Sequence, residues 1–240
     1  MKKIFLALSL CLFAFTIKAQ TFDIAYYKLV NPFVGTDFHG HTYPGAVVPF
    51  GMVQLSPDTR LDGWDGCSAY HYSDNVIYGF SHTHLSGTGI GDLFDVTVMP
   101  GIGDVVYNRG KLDGIGSGLW SPADRTPEIV RPGYYSVPLT RYNILAELTA
   151  TKRVGMHRYT FPESSEAAIV FDLQNGGCWD KTTDCNVEVT SNTSICGYRY
   201  SRGWANNQRI YFAATFSKPF DSMETIEEDL YTRFNFTTTA

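Results

Sequence analysis

Tyr134 to Pro162 reads YYSVPLTRYNILAELTATKRVGMHRYTFP, and it resolves into three extended segments on residue type alone. Tyr134 to Leu139, Ile144 to Thr151 and Gly155 to Phe161 are rich in aromatic and β-branched residues, and the turn formers Thr140-Arg141-Tyr142-Asn143 and Pro162-Glu163-Ser164-Ser165 punctuate them. The same rhythm continues downstream through Ala167 to Leu173, Val187 to Thr190 and Ile210 to Phe216, with Asn175-Gly176-Gly177 as a further turn signal. Upstream, Met52 to Leu55 is a short extended piece, and Phe94 to Met99, FDVTVM, alternates until Pro100-Gly101 stops it. Short strands at roughly ten-residue spacing predict an all-β fold, an antiparallel β-sandwich with long glycine- and proline-rich loops. Ser222 to Leu230 is the one candidate helix, and Arg109 to Arg131, rich in glycine, serine, proline and charge, is expected to be an exposed insertion.

The amino terminus follows another logic. Lys2 and Lys3 precede an apolar run from Ile4 to Phe15, and Ala19 offers a small residue for cleavage, so residues 1–19 read as a signal peptide and the protein as exported, to a periplasm or beyond the cell. The run is too short for a membrane span, which needs roughly 20 apolar residues. Its removal would take away three lysines and leave the chain more acidic than the net −5 of the whole sequence. The remaining basic residues are scattered, which argues against a nucleic-acid partner. An exported chain can form disulfides among Cys67, Cys178, Cys185 and Cys196; three pairings are open, and Cys178 with Cys185 is the shortest to close.

Chemistry concentrates in Tyr78 to Asp92, YGFSHTHLSGTGIGD. At the end of a strand, His82 and His84 would lie on one face with Tyr78 and Phe80. Gly87, Gly89 and Gly91 make a helix unfavourable there and allow close approach to a ligand. His82, His84 and Asp92 have the composition of a two-histidine, one-carboxylate metal set, but no further ligand spacing accompanies them. The loop lacks the Lys-Ser/Thr ending of a phosphate-binding loop, and no serine-nucleophile elbow is present. A second loop, Gly63 to Tyr72, sets Trp64 beside Asp62, Asp65, Ser68 and His71, groups that suit the apolar faces and hydroxyl rims of a sugar. A buried structural tryptophan is the competing reading.

The runs VNPFVGTDFHGHTYPGAVVPFGMVQLSPDTR, GWDGCSAYHYSD, GFSHTHLSGTGIGD and VMPG, followed by PGYYSVPL, ELTATKRVGMHRYTFP and YFAATFSKPF, closely resemble the amino-terminal part of glycoside hydrolase family 92, bacterial calcium-dependent α-mannosidases. The likeness spans Val30 to Phe220. It implies a β-sandwich of the supersandwich type over residues 20–224, with 225–240 as a divergent tail or the start of an interdomain linker. It also implies that the catalytic acid and base and most calcium-binding groups belong to an (α/α) helical barrel, following or separate, so that this stretch supplies no catalytic residue and no metal ligand of its own. Trp64, Asp65, His82 and His84 would line the wall of an α-mannoside site and position sugar. Where many relatives read WDWC, this chain has Gly66, which puts linkage preference in question. The expected role is the sandwich domain of an exported, inverting exo-α-mannosidase; the alternative is a free-standing carbohydrate-binding module for mannose-containing glycans.

Overall fold

The computed structural model describes residues 26–107, 118–227 and 230–239. The expected signal peptide lies outside the described residues. Among the described residues, sixteen strands, every pair of them antiparallel, form the architecture. The central sheet takes β1 (Ala46–Val47), β2 (Gln54–Asp58), β4 (Gly79–Ser81), β5 (Thr97–Ile102), β11 (Ser164–Asp172), β16 (Tyr231–Thr238) and β15 (Ser222–Ile226), in that spatial order. A four-stranded sheet orders β10 (Gly155–Thr160), β9 (Ile144–Ala150), β8 (Tyr134–Leu139) and β7 (Ile129–Arg131), and a three-stranded sheet orders β12 (Lys181–Ser191), β13 (Ser194–Arg202) and β14 (Gln208–Thr215). β3 (Val76–Ile77) pairs with β6 (Ser121–Pro122).

Two separate cores explain why the middle strands read as nearly continuous apolar runs. Side chains alternate across a strand, and here both faces of the central sheet are covered. Met99 and Val170, paired in register, join Tyr135, Val137, Ala146 and Leu148 of the four-stranded sheet. Their neighbours Val98 and Phe171 face the other way, toward Val187, Ile195 and Phe212 of the three-stranded sheet. The sandwich therefore has three layers. A ring of contacts among Phe171, Phe212, Phe216 and Phe234 fills the second core, and truncating a ring there should cost about 3–5 kcal/mol.

Most expected strands are present, and the differences have local causes. β5 runs through Pro100 to Ile102, because β4 bonds it only at Phe80↔Val98 and leaves the edge beyond open, where a proline forfeits little. Ser222–Ile226 is a strand instead of a helix. Met223 and Ile226 have a helix-like spacing of three, yet in a strand that odd spacing sends them to opposite faces, Met223 into the second core and Ile226 into the first. The segment from residue 225 is no tail: β16 lies between β11 and β15 and supplies Tyr231, Phe234 and Phe236 to the cores. Within Arg109 to Arg131, residues 108–117 lie outside the described residues, but Leu119 and Trp120 are buried and β6 and β7 enter sheets, so this stretch is not simply an exposed insertion. β13 has no counterpart among the expected strands. Gly197 interrupts it, and that glycine is required because a Cβ there would collide with the Asn186 carbonyl oxygen of the neighbouring strand and press on the Phe212 ring.

Candidate functional site

The loops connecting these strands meet around Gly87 to Asp92. Gly63, at φ 73°, turns the chain into a single 3-10 turn, Trp64–Gly66, and leaves the Trp64 side chain 57% exposed. Gly89 passes under it: a Cβ at that position would lie 2.2 Å from Trp64 Nε1, so only glycine lets the loop run this close. His39 and His41 pack on the indole at centroid distances of 4.9 and 4.5 Å, the second edge-on. His39 Nδ1 lies 2.6 Å from Asp65 Oδ1. That hydrogen bond is the main reason the Asp65 carboxyl is held below the ordinary carboxylate range. His41 is buried, and its Nε2, 3.5 Å from the same oxygen, has no hydrogen-bond partner. An exposed indole beside a solvent-facing imidazole, that of His39, and an ionised carboxylate is suited to the apolar face and hydroxyls of a ligand.

His82 and His84 sit elsewhere and do not share a face. His84 is enclosed: Nδ1 donates to the Gln54 carbonyl at 2.6 Å, Nε2 lies 3.0 Å from both Asp58 Oδ1 and Ser81 Oγ, and Tyr43 and Phe94 cover the ring. Burial pushes the Tyr43 hydroxyl up to about 12. His82 donates from Nδ1 to the Val96 carbonyl at 2.7 Å and meets His157 Nε2 at 3.0 Å, which ties the central sheet to β10. Burial, the largest cause for each, lowers both imidazoles; the His82 charge lowers His157 further, and that of His84 lowers His82. The sequence places these two histidines on the wall of the site; in the structure their ring nitrogens bond protein groups.

Beneath the glycine loop, Leu93, Phe94 and Val96 all have positive φ, 75°, 61° and 55°, a costly conformation for residues with a Cβ. Backbone bonds hold the kink: Phe94 N to Thr83 O at 3.0 Å, His82 N to Asp95 O at 3.0 Å and Gly177 N to Leu93 O at 2.9 Å. Asp95 in turn anchors a buried ion pair. Arg199 of β13 is wholly enclosed, bonding Asp95 Oδ1 at 2.7 Å, Asp180 Oδ1, and the Leu173 carbonyl at 3.0 Å. Thr83 and Gln208 complete Asp95, each at 2.7 Å. The strained loop is thus clamped to the third layer by charge.

Two more tryptophans flank the same loop and were not singled out by sequence reasoning. Trp179 donates its backbone N–H to Gly91 O at 3.1 Å and is 53% exposed; Trp204, 67% exposed, sits between Gly203, packed on Asp92, and Ala205, whose N–H bonds Asp92 Oδ2 at 3.1 Å. Their exposure depends on the β11–β12 connection and the β13–β14 hairpin, which only the fold places here. His39 and His41, also missed, repeat the His-x-His pattern that drew attention to residues 82 and 84. Gly66 is buried, and a Cβ there would lie 3.3 Å from the Arg60 carbonyl oxygen, so a side chain needs a small backbone adjustment.

A calcium ion asks for six to eight oxygen ligands. Asp92 Oδ1 and Asp180 Oδ2 are buried oxygens without hydrogen-bond partners, yet Asp180 is already neutralised by Arg199, and among the described residues no three His, Cys, Asp or Glu side chains converge on a metal position. These residues do not fit a calcium centre.

Comparison with known proteins places this arrangement. No helix among the described residues is long and apolar enough to cross a membrane. The sequence profile described as the glycosyl hydrolase family 92 N-terminal domain matches residues 29–238. The family GH92 α-mannosidase BT3965 of Bacteroides thetaiotaomicron, solved with mannoimidazole, superposes with a TM-score of 0.84 at 36% identity over 88% of this chain. The GH92 inverting mannosidase BT2199 of the same species gives 0.72 at 25% identity over 90%. A secreted, uncharacterised glycosidase of Arthroderma benhamiae is 30% identical over 146 residues, 58% of this chain. The chain spans 30% of the length of each of these mannosidases and 18% of the fungal protein. With its profile match running from before β1 to the end of β16, the chain belongs to glycosyl hydrolase family 92, as that family's N-terminal domain.

Proposed function

We propose that this chain is the sugar-positioning sandwich of an exported, calcium-dependent, inverting exo-α-mannosidase, and that Trp64 and Asp65, with His39 and His41, form its share of an α-mannoside site. The observation that carries the reading is the exposed Trp64 ring beside the solvent-facing His39 and the ionised Asp65. An indole face stacks the apolar C–H side of a pyranose, while imidazole and carboxylate meet its hydroxyls. The work of these groups is orientation. Calcium would be held mainly by the helical-barrel part of the complete enzyme. The carboxylic acid that protonates the glycosidic oxygen and the carboxylate that activates water belong to that part as well, set apart widely enough to leave room for the water of an inverting reaction. Names of the solved relatives support the substrate class, and the fungal relative's secretion supports export.

The test is a chimera in which this chain replaces the sandwich of the BT3965 mannosidase. Hydrolysis of α-mannobiose that requires calcium, together with no mannose release by the 240-residue chain alone, is the expected result. Turnover by the isolated chain overturns the reading, as does a folded chimera indifferent to Trp64→Ala. Calorimetric binding of α-mannobiose by the isolated chain, with an affinity the barrel does not change, favours a free-standing carbohydrate-binding module instead.

A further inference from the structure

The four cysteines outside the leader are distributed so that one pair alone can meet. Cys185 and Cys196 lie on neighbouring strands but on opposite faces: Cys185 sits across from Arg199 and turns into the second core, whereas Cys196 is across from Glu188, on the outer face that carries Tyr198 and Tyr200. Cys178 and Cys185, the shortest pairing by sequence, are separated by the first residues of β12, whose extended backbone carries Cys185 away from the loop. Cys178 instead docks on the Trp64 turn. Its N–H bonds the Leu61 carbonyl at 3.1 Å, its Sγ lies 3.4 Å from the Gly63 carbonyl, and its thiol contacts that of Cys67. Gly91 is the third party: a Cβ there would land on the Cys178 side chain, so this glycine leaves room for the thiol pair.

We propose that Cys67 and Cys178 are joined by a disulfide in the exported protein, a staple between the Trp64 turn and the Trp179 loop where both border Gly87 to Asp92. The oxidant is a disulfide-bearing thiol oxidoreductase or a small disulfide such as oxidised glutathione. The more exposed Cys178 thiolate attacks the oxidant's disulfide, releasing one thiol and leaving a mixed disulfide; Cys67 then displaces the second thiol, so two protein thiols are oxidised and one external disulfide is reduced. Burial pushes both thiols up, Cys178 to about 12 with Cys67 and Asp62 adding to the effect, so little thiolate exists once the fold is complete. The bond therefore forms during folding. It rests on the export reading for its oxidant and is independent of the sugar reading.

The experiment refolds the chain from denaturant in a glutathione redox buffer, blocks residual thiols and maps peptides without reduction. A Cys67–Cys178 linked peptide, present equally in the Cys185→Ser/Cys196→Ser double variant, is expected. Because the bond closes a loop of about 110 residues, its reduction should lower Tm by on the order of 10 °C in that variant. Any other linkage, or refolded protein in which Cys67 and Cys178 remain open to alkylation, overturns the proposal. The buffer supplies the oxidant whatever the compartment, so a failure of export alone would leave this result unmoved.

Discussion

The rim around Trp64 and the floor around Arg199 are built from the same residue types, aspartates with cationic or imidazole partners, yet they do opposite things. On the floor the polar groups meet one another inside the protein: Arg199 with Asp95 and Asp180, and His84 with Asp58, all have side chains without solvent exposure. On the rim the partnership is looser: Asp65 and His39 face solvent, and His41 approaches the same carboxylate only at 3.5 Å. A buried charge is costly to strand, whereas an exposed pair contributes little. The floor therefore fixes geometry, and the rim remains available to a ligand.

The sharpest way to break this contrast is Arg199→Met. It leaves Asp95 and Asp180 buried without a counter-charge and should cost about 3–5 kcal/mol in urea unfolding. A loss below about 1 kcal/mol would mean that the clamp on the strained 93–96 segment lies elsewhere. His84→Ala ranks next, at about 2–3 kcal/mol, because it strands Asp58 and opens a void beneath Tyr43.

Acid probes the same floor more gently. Burial lowers His82 and His157 in the folded state; the Val96 carbonyl and the charges of Asp58 and Asp95 only partly oppose it for His82. Below the unfolded value near 6.5 the unfolded chain binds protons that the folded chain refuses, so stability falls as pH drops, by up to about 1.4 kcal/mol per histidine per unit. Glu128, raised by its burial, acts in the opposite sense at the acid end of the window. Melting between pH 7.5 and 5.5 should show this decline, and His157→Gln should reduce its slope by about half. An unchanged slope would show that the His82–His157 pair is not what titrates.

The fold was more legible than the site, for a physical reason. Where burial alternates along a strand, as in β9, Ile144–Ala150, the strand is found to within a residue from its pattern. Where both faces are covered or a glycine interrupts, as in β13, the period fades, and β15 carries a helix-like spacing because its two apolar residues serve two different cores. A site, by contrast, is an agreement among loops distant in sequence. Trp64 and Asp65 were visible because they are adjacent, but nothing local says that His41 abuts Trp64, or that His84 turns inward to Asp58. Histidines invite a functional reading by residue type, and only their hydrogen-bond partners decide which of them is committed to the protein.

Trp64→Ala is the smallest perturbation of the fold and the most direct test of the rim. The side chain is more than half exposed and contributes to neither core, so unfolding free energy should change by no more than about 0.5 kcal/mol. In the chimera with the mannosidase barrel, loss of a stacking face worth about 0.5–1.5 kcal/mol should raise KM for α-mannobiose about two- to tenfold, with kcat little changed, because stacking holds ground state and transition state alike. Gly89→Ala offers an independent version of the experiment: its methyl would fall 2.2 Å from the indole nitrogen and push the ring aside without deleting it. If the ring's position matters and not merely its hydrophobic bulk, this variant should reproduce part of the KM effect and shift Trp fluorescence. A normal KM in Gly89→Ala beside a raised one in Trp64→Ala would instead assign the contribution to apolar area alone, and a fall in kcat in either variant would place Trp64 closer to the reacting bond than a positioning role allows.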